Sequence, residues 1–220
     1  MLFDLRSRGR RRTVQAMYLG LAVLMGGGLI LFGVGTGTGG GGLLNALTGG
    51  GSGNQQGQVI SQQEKQALRE TKQDPNSATA WAALVNARWE NASSSGYDSA
   101  TNSYTSAGKT ELAGVGDAWQ RYVKLTNKPA GNVAILAANA YGTLGQYSNQ
   151  AQAWELASVA DPSSVKGFEC LAISAYAAKQ DREGDLAAAK ALTMVPKASR
   201  KQLQTEINSA KTQPSLAQSC

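Results

Sequence analysis

Prolines at positions 129, 162 and 196 divide the second half of the chain at intervals of 33 and 34 residues. A near-constant period of that length predicts stacked helix–turn–helix units. Proline cannot continue the helix before it, so each one closes a unit. A single helical pair cannot bury its apolar face, so neighbouring pairs share one elongated core. With Pro162 as position 32 of a 34-residue unit, Ala138 falls at position 8, Tyr141 at 11, Leu144 at 14, Gly145 at 15 and Tyr147 at 17. Trp154 then falls at 24 and Ala157 at 27. The small Ala138 and Ala157 suit the place where two antiparallel helices touch. The large Tyr141 and Trp154 fill the gaps beside that contact, and Gly145 permits the tight turn.

This set of residues resembles a tetratricopeptide repeat, most specifically in the segment AYGTLGQY (Ala140–Tyr147). Ala134 stands where that family usually has Trp, and Gln150 where it usually has Ala. The resemblance implies an all-α fold, a TPR-like α-solenoid of helical hairpins. The frame carries forward to Phe168, Leu171, Ala172, Ala188 and Ala191, with Arg182 and Gly184 departing from it. Backward, Trp81 and Leu84 give a W-x-x-L opening after Pro75, while Val85 and Arg88 do not match. Three units thus cover Asn76 to Pro196. The first is stretched by Asn91–Gly108, a Ser-, Asn- and Gly-rich insertion that reads as loop, with Tyr97 and Tyr104 its large residues. Its partner helix reads as Glu111–Thr126, with Leu112, Val115, Trp119, Tyr122 and Val123 on one stripe. A helix over Ser61–Gln73, opened by a Ser61/Glu64 capping box, precedes the array. A C-terminal capping helix over Ser199–Ala210 follows it, with Leu203 and Ile207 inward and Arg200, Lys201, Gln204 and Lys211 outward.

The amino-terminal quarter has another character. Residues 1–13 carry five Arg against one Asp, most of the formal charge of +6. Residues 14–34 are uncharged and would span roughly 30 Å as a helix, the thickness of a bilayer core. This predicts a single transmembrane helix with a cytoplasmic basic tail and the rest of the chain on the far side. The run exceeds the roughly 7–15 apolar residues of a cleaved signal and no clean A-x-A follows, which favours a retained signal-anchor. Ala16/Gly20 and Ala22/Gly26 have the four-residue spacing of self-associating membrane helices, although glycine is ordinary there. Sixteen of the 26 glycines lie between Gly20 and Gly57, and residues 35–58 read as a flexible linker. The repeat domain then occupies 59–212, and 213–220 read as a loose terminus.

Composition removes several chemistries. The chain has no histidine, hence neither the commonest general base nor the commonest metal ligand. Cys170 and Cys220 form no C-x-x-C, and their spacing leaves a buried thiol and a mutual disulfide both open. The G-x-G-x-x-G at Gly35, Gly37 and Gly40 follows no β-strand, and Gly108-Lys109-Thr110 lacks the earlier glycine of a phosphate loop, Ser103 standing there. No basic face marks the repeats, so no nucleic-acid partner is predicted. Neither cofactor nor metal is expected.

What remains is a non-enzymatic binding scaffold. The resemblance implies that the first helix of each unit lines a groove for proteins or extended peptides. In this frame those residues are Asn86 and Trp89, then Asn132, Ile135 and Asn139, then Lys166, Glu169, Ile173 and Tyr176. Asn86 and Asn139 share position 9, where an amide donates to and accepts from a peptide backbone at once. The layout is similar to ancillary subunits of the bacterial Sec translocon, which implies a role in export, folding or assembly of envelope proteins. The alternative is a structural adaptor of a cell-envelope or division complex with one dedicated partner.

Overall fold

The computed structural model describes residues 54–220, with side-chain surroundings from residue 62 onward. The basic tail, the transmembrane helix expected over 14–34 with its expected self-association, and the expected linker up to residue 53 lie outside the described residues. No helix among the described residues is long and apolar enough to cross a membrane.

The described chain is all-α apart from one small hairpin. Helix α1 spans Asn54–Gln73 and α2 Ala78–Ser95; strands β1 (Tyr97–Asp98) and β2 (Ser103–Tyr104) follow. Helix α3 spans Ser106–Leu125, α4 Gly131–Thr143, α5 Tyr147–Ala160, α6 Val165–Ala177, α7 Asp181–Met194 and α8 Lys197–Ser209. A 3₁₀ helix over Pro214–Ser219 ends the chain. Helices pack as consecutive pairs: α1 on α2, α2 on α3, α4 on α5 and α6 on α7. The pairs are joined by α2 and α3 against α4, and α5 against α6. One continuous core runs from Ala67 through Trp119, Tyr141 and Trp154 to Ala191 and Ile207.

The period appears in the backbone itself. Every boundary of α4 and α5 recurs 34 residues later in α6 and α7. So does the turn between the paired helices. Gly145 and Lys179 both adopt left-handed backbone, at φ 70° and 62°. The amides that follow, of Gln146 and Gln180, donate back to Tyr141 and Ala175 carbonyls, each at 2.8 Å. This is a Schellman closure, and glycine fits its left-handed site without the Cβ penalty that Lys179 carries. The corners between pairs also repeat. In Asp74-Pro75 and Asp161-Pro162, the aspartate carboxylate accepts the amide two residues on, at 3.1 and 3.0 Å. Ser77 and Ser164 then cap the next helices, accepting from the Ala80 and Gly167 amides.

Two of the departures from the repeat pattern, Gln150 and Gly184, explain each other. Position 12 is Gly142 in the second unit and Tyr176 in the third; position 20 is Gln150 and Gly184. A Cβ on Gly142 would collide with the Gln150 amide, and one on Gly184 with the Tyr176 ring. Each helical pair therefore seats one large and one small residue at this contact, with the sides exchanged. Volume is conserved across the joint, which is what a close-packed core requires.

Three boundaries differ from expectation. The linker was expected to reach residue 58 and the helix to start at Ser61, but α1 begins at Asn54; its Gln-rich start (Asn54–Gln58) has ordinary helix propensity despite Gly57. The insertion is mostly not loop. Asn91–Ser95 extend α2 and Ser106–Gly108 begin α3, because no Gly or Pro interrupts until Gly96. Only the tip turns, through a hairpin pairing Tyr97 with Tyr104. Their rings meet edge to face at 5.1 Å. Finally, the terminus is not loose. Its 3₁₀ helix packs on α6 and α4, buries Ala217, and ends in a Cys170–Cys220 disulfide with Cα atoms 5.4 Å apart.

Candidate functional site

The face predicted to line a groove is carried by α2, α4 and α6, and the structure divides it. Helices α2 and α4 pack directly against one another. Along α4, Asn132 and Ile135 are exposed, Ile135 at 39%. Asn139, one turn further, is half-buried, and its Oδ1 has no hydrogen-bond partner among the described residues. A buried acceptor without a partner is costly unless a ligand or water supplies a donor. On α2, Trp89 rests half-buried against the core. The Asn86 amide donates to Ala82 O of its own helix at 2.8 Å, so its nitrogen is already engaged.

The α6 portion differs. Lys166 is exposed and ion-paired with Glu169 at 3.1 Å. Such a surface pair contributes little to stability. Ile173 is buried, and Tyr176 is only 2% exposed. The Tyr176 ring sits over Gly184 of α7 because the missing Cβ leaves room there. Its hydroxyl donates to Asp185 at 2.6 Å, and Lys211 Nζ lies 4.1 Å from the ring centroid. Lys211 also approaches Asp185 at 3.4 Å. The tyrosine hydrogen bond, then Lys211, hold the Asp185 carboxyl below its usual range. Tyr176 was predicted to face a ligand; it is instead a packing residue between α6 and α7.

What covers α6 is the end of the chain. The 3₁₀ helix packs on α6 and α4, and Gln150 Nε2 donates to Ala217 O at 2.7 Å across 67 residues of sequence. Gln150 is fully buried, and its Oε1 has no partner among the described residues. The repeat frame had marked Gln150 as a departure from alanine but gave no reason for it. The terminal segment carries no periodic signal, so nothing in the pattern placed it here.

A second polar group lies among α1, α2 and α3. Arg88 donates to Glu64 at 3.3 Å and to the Gly114 carbonyl at 2.9 Å. Asn91 donates to the other Glu64 oxygen at 2.5 Å. Arg88 occupies the position that Tyr141 holds in the second unit, so a salt bridge replaces an aromatic. These groups satisfy one another, which marks them as structural. Nearby, burial pushes the Glu111 carboxyl above the ordinary carboxylate range, the Glu64 charge adds to the rise, and Arg88 opposes it. The folded chain thus binds that proton more tightly than the unfolded chain, and this contribution to stability falls as pH rises through the carboxylate range. Glu111→Gln should leave the protein at least as stable as the parent at about pH 7, with the advantage gone near pH 4. Urea midpoints at both pH values check this; a variant weaker than the parent at neutral pH contradicts it.

Among the described residues, no group of three or more acidic or cysteine side chains gathers as a metal-ligand set. No protein-family model matches the chain, and no curated protein matches it in sequence.

Proposed function

We propose that this chain is a non-enzymatic, tetratricopeptide-like scaffold, anchored in a membrane by residues 14–34, that binds proteins or extended peptides outside the cytoplasm. The observation that carries this reading is the 34-residue recurrence of helix boundaries, extending to the hydrogen bonds of the turn. That recurrence supports a solenoid, and solenoids offer long concave faces to partners. The accessible part of the face is the α2–α4 stretch, where exposed Ile135 stands a turn from the Asn139 amide oxygen, which has no partner among the described residues. An apolar contact beside a buried acceptor suits a peptide backbone with one anchoring side chain. In the export reading the partners are many unfolded envelope proteins near the translocon. The adaptor reading, with one dedicated partner, draws support from how little of the face the terminal segment leaves open.

Site-specific photocrosslinking in intact membranes tests this. A crosslinker at Ile135 or Asn139 should capture protein at least about fivefold more than one at Val159, which is 71% exposed on α5. Many captured secretory chains favour export, and one stoichiometric band favours the adaptor. Equal capture at Ile135 and Val159 ends both readings.

A further inference from the structure

We propose that the groove face of α6 and the adjoining part of α4 form a second peptide site, held shut by residues 212–220 of the same chain and opened by reduction of the Cys170–Cys220 disulfide. The proposal rests on the scaffold reading only in taking the ligand to be a peptide.

The terminal segment sits in this groove as a ligand would. Its main chain approaches α4 closely because Gly142 has no side chain: a Cβ there would stand 3.1 Å from Ala217 O. Gln150 Nε2 donates to the same carbonyl at 2.7 Å. The side-chain burial is small. Ala217 alone is fully buried within the 3₁₀ helix, while Ser215, Gln218 and Ser219 are exposed. Most of its other hydrogen bonds are internal, such as Leu216 N to Gln213 O and Cys220 N to Ala217 O. Among the described residues, the one further side-chain hydrogen bond from the 3₁₀ helix to the body is a long contact from Gln218 to the Tyr147 hydroxyl, at 3.4 Å. So little apolar area gives a weak non-covalent hold. The disulfide is the main fastening, joining fully buried Cys170 to half-buried Cys220 across 50 residues.

The segment is also an incomplete occupant. It satisfies the nitrogen of the Gln150 amide and leaves the buried oxygen without a partner among the described residues. A peptide that presents a small residue over Gly142 and sets an additional N–H against Gln150 Oε1 satisfies both ends of that amide. Such a ligand outcompetes the terminal segment once the covalent tie is gone.

Opening requires a dithiol reductant. One thiolate attacks Cys220 Sγ, the Sγ–Sγ bond breaks, and Cys170 leaves as a thiolate that takes up a proton. The second thiol of the reductant resolves the mixed disulfide, releasing Cys220 as a thiol and the reductant as a disulfide. Two electrons and two protons move to the protein. The ties of Lys211 to Tyr176, Asp185 and Lys179 lie before the segment and stay in place, so residues 212–220 swing from there.

The test uses the full chain and its Cys220→Ser variant, which spares the buried cysteine. Hydrogen exchange at the amides of Leu216 and Cys220 should be at least about tenfold faster after treatment with dithiothreitol. The corresponding amides of Cys220→Ser should exchange equally fast without reductant, and α4–α7 should be unchanged. A labelled synthetic peptide of residues 212–219 should bind Cys220→Ser, fail to bind the oxidised parent, and bind about tenfold more weakly to Cys220→Ser carrying Gln150→Ala. Unchanged protection of the segment after reduction overturns the proposal. So does a Cys220→Ser chain that does not fold, since the tie would then be part of the fold. Peptide binding that ignores the disulfide overturns it as well. Crosslinking at Ile135 reports on the other stretch of the face, so either result can fail without the other.

Discussion

Exchanging the paired residues of the third unit together should cost less than the two single changes summed. Tyr176→Gly deletes a buried ring and places glycine inside α6; the two effects together cost about 4–6 kcal/mol. Gly184→Gln drives a side chain into the space of the Tyr176 ring and costs about 3 kcal/mol. Combined, they recreate the Gly142/Gln150 arrangement of the second unit. The double variant should be more stable than the sum of the singles by about 2 kcal/mol, within the usual range for residues in contact. The lost hydrogen bond to Asp185 enters the Tyr176 single and the double alike, so it cancels from the coupling. Urea denaturation of all four proteins measures it. Additivity within about 0.5 kcal/mol would mean that the two positions do not share one space.

The second large effect belongs to Trp154, on the inner face of α5 at 4% exposure. Trp154→Ala should cost about 3–5 kcal/mol through lost transfer energy and the cavity left behind. For a domain of this size that lowers the melting midpoint by roughly 6–20 °C. The indole Nε1 has no hydrogen-bond partner among the described residues, so the ring acts by filling space. Trp154→Phe should therefore cost less than about 2 kcal/mol. Val159→Ala on the same helix, at a largely exposed position, should stay within about 0.5 kcal/mol. Thermal melts followed by circular dichroism compare the three. A Trp154→Ala midpoint close to that of Val159→Ala would place the tryptophan outside the core.

Both predictions depend on a period that the proline spacing made visible. Helices α4 to α7 were legible because their packing is local. Small and large residues alternate at fixed offsets, and Gly145 and Pro162 mark the bends. The same reading placed Leu112, Val115 and Trp119 in the core, where they lie. It failed where contacts join distant residues through polar groups. Asn91 was assigned to a loop because Asn and Ser favour turns, yet it is buried against Glu64, 27 residues away. Gln150 and Tyr176 were judged against a family pattern one position at a time, whereas each makes sense only beside its small partner. Tyr176 was consequently assigned to the ligand face instead of the joint with α7. The terminal segment has too few apolar residues to show any pattern, and two cysteines alone do not say that they meet.

The order in which the helices contact one another has a consequence for how the molecule comes to be. Nearly all the packing joins neighbours along the chain, so each helical pair can settle as soon as it emerges during synthesis or passage through a membrane. The clasp between Cys220 and Cys170 is different, because it joins residues 50 apart in the chain and cannot close before both are made. A product that stops before Cys220 can raise every helix of the array and still have nothing with which to fasten it. The fastened form is thus a chemical record that synthesis has passed Cys220.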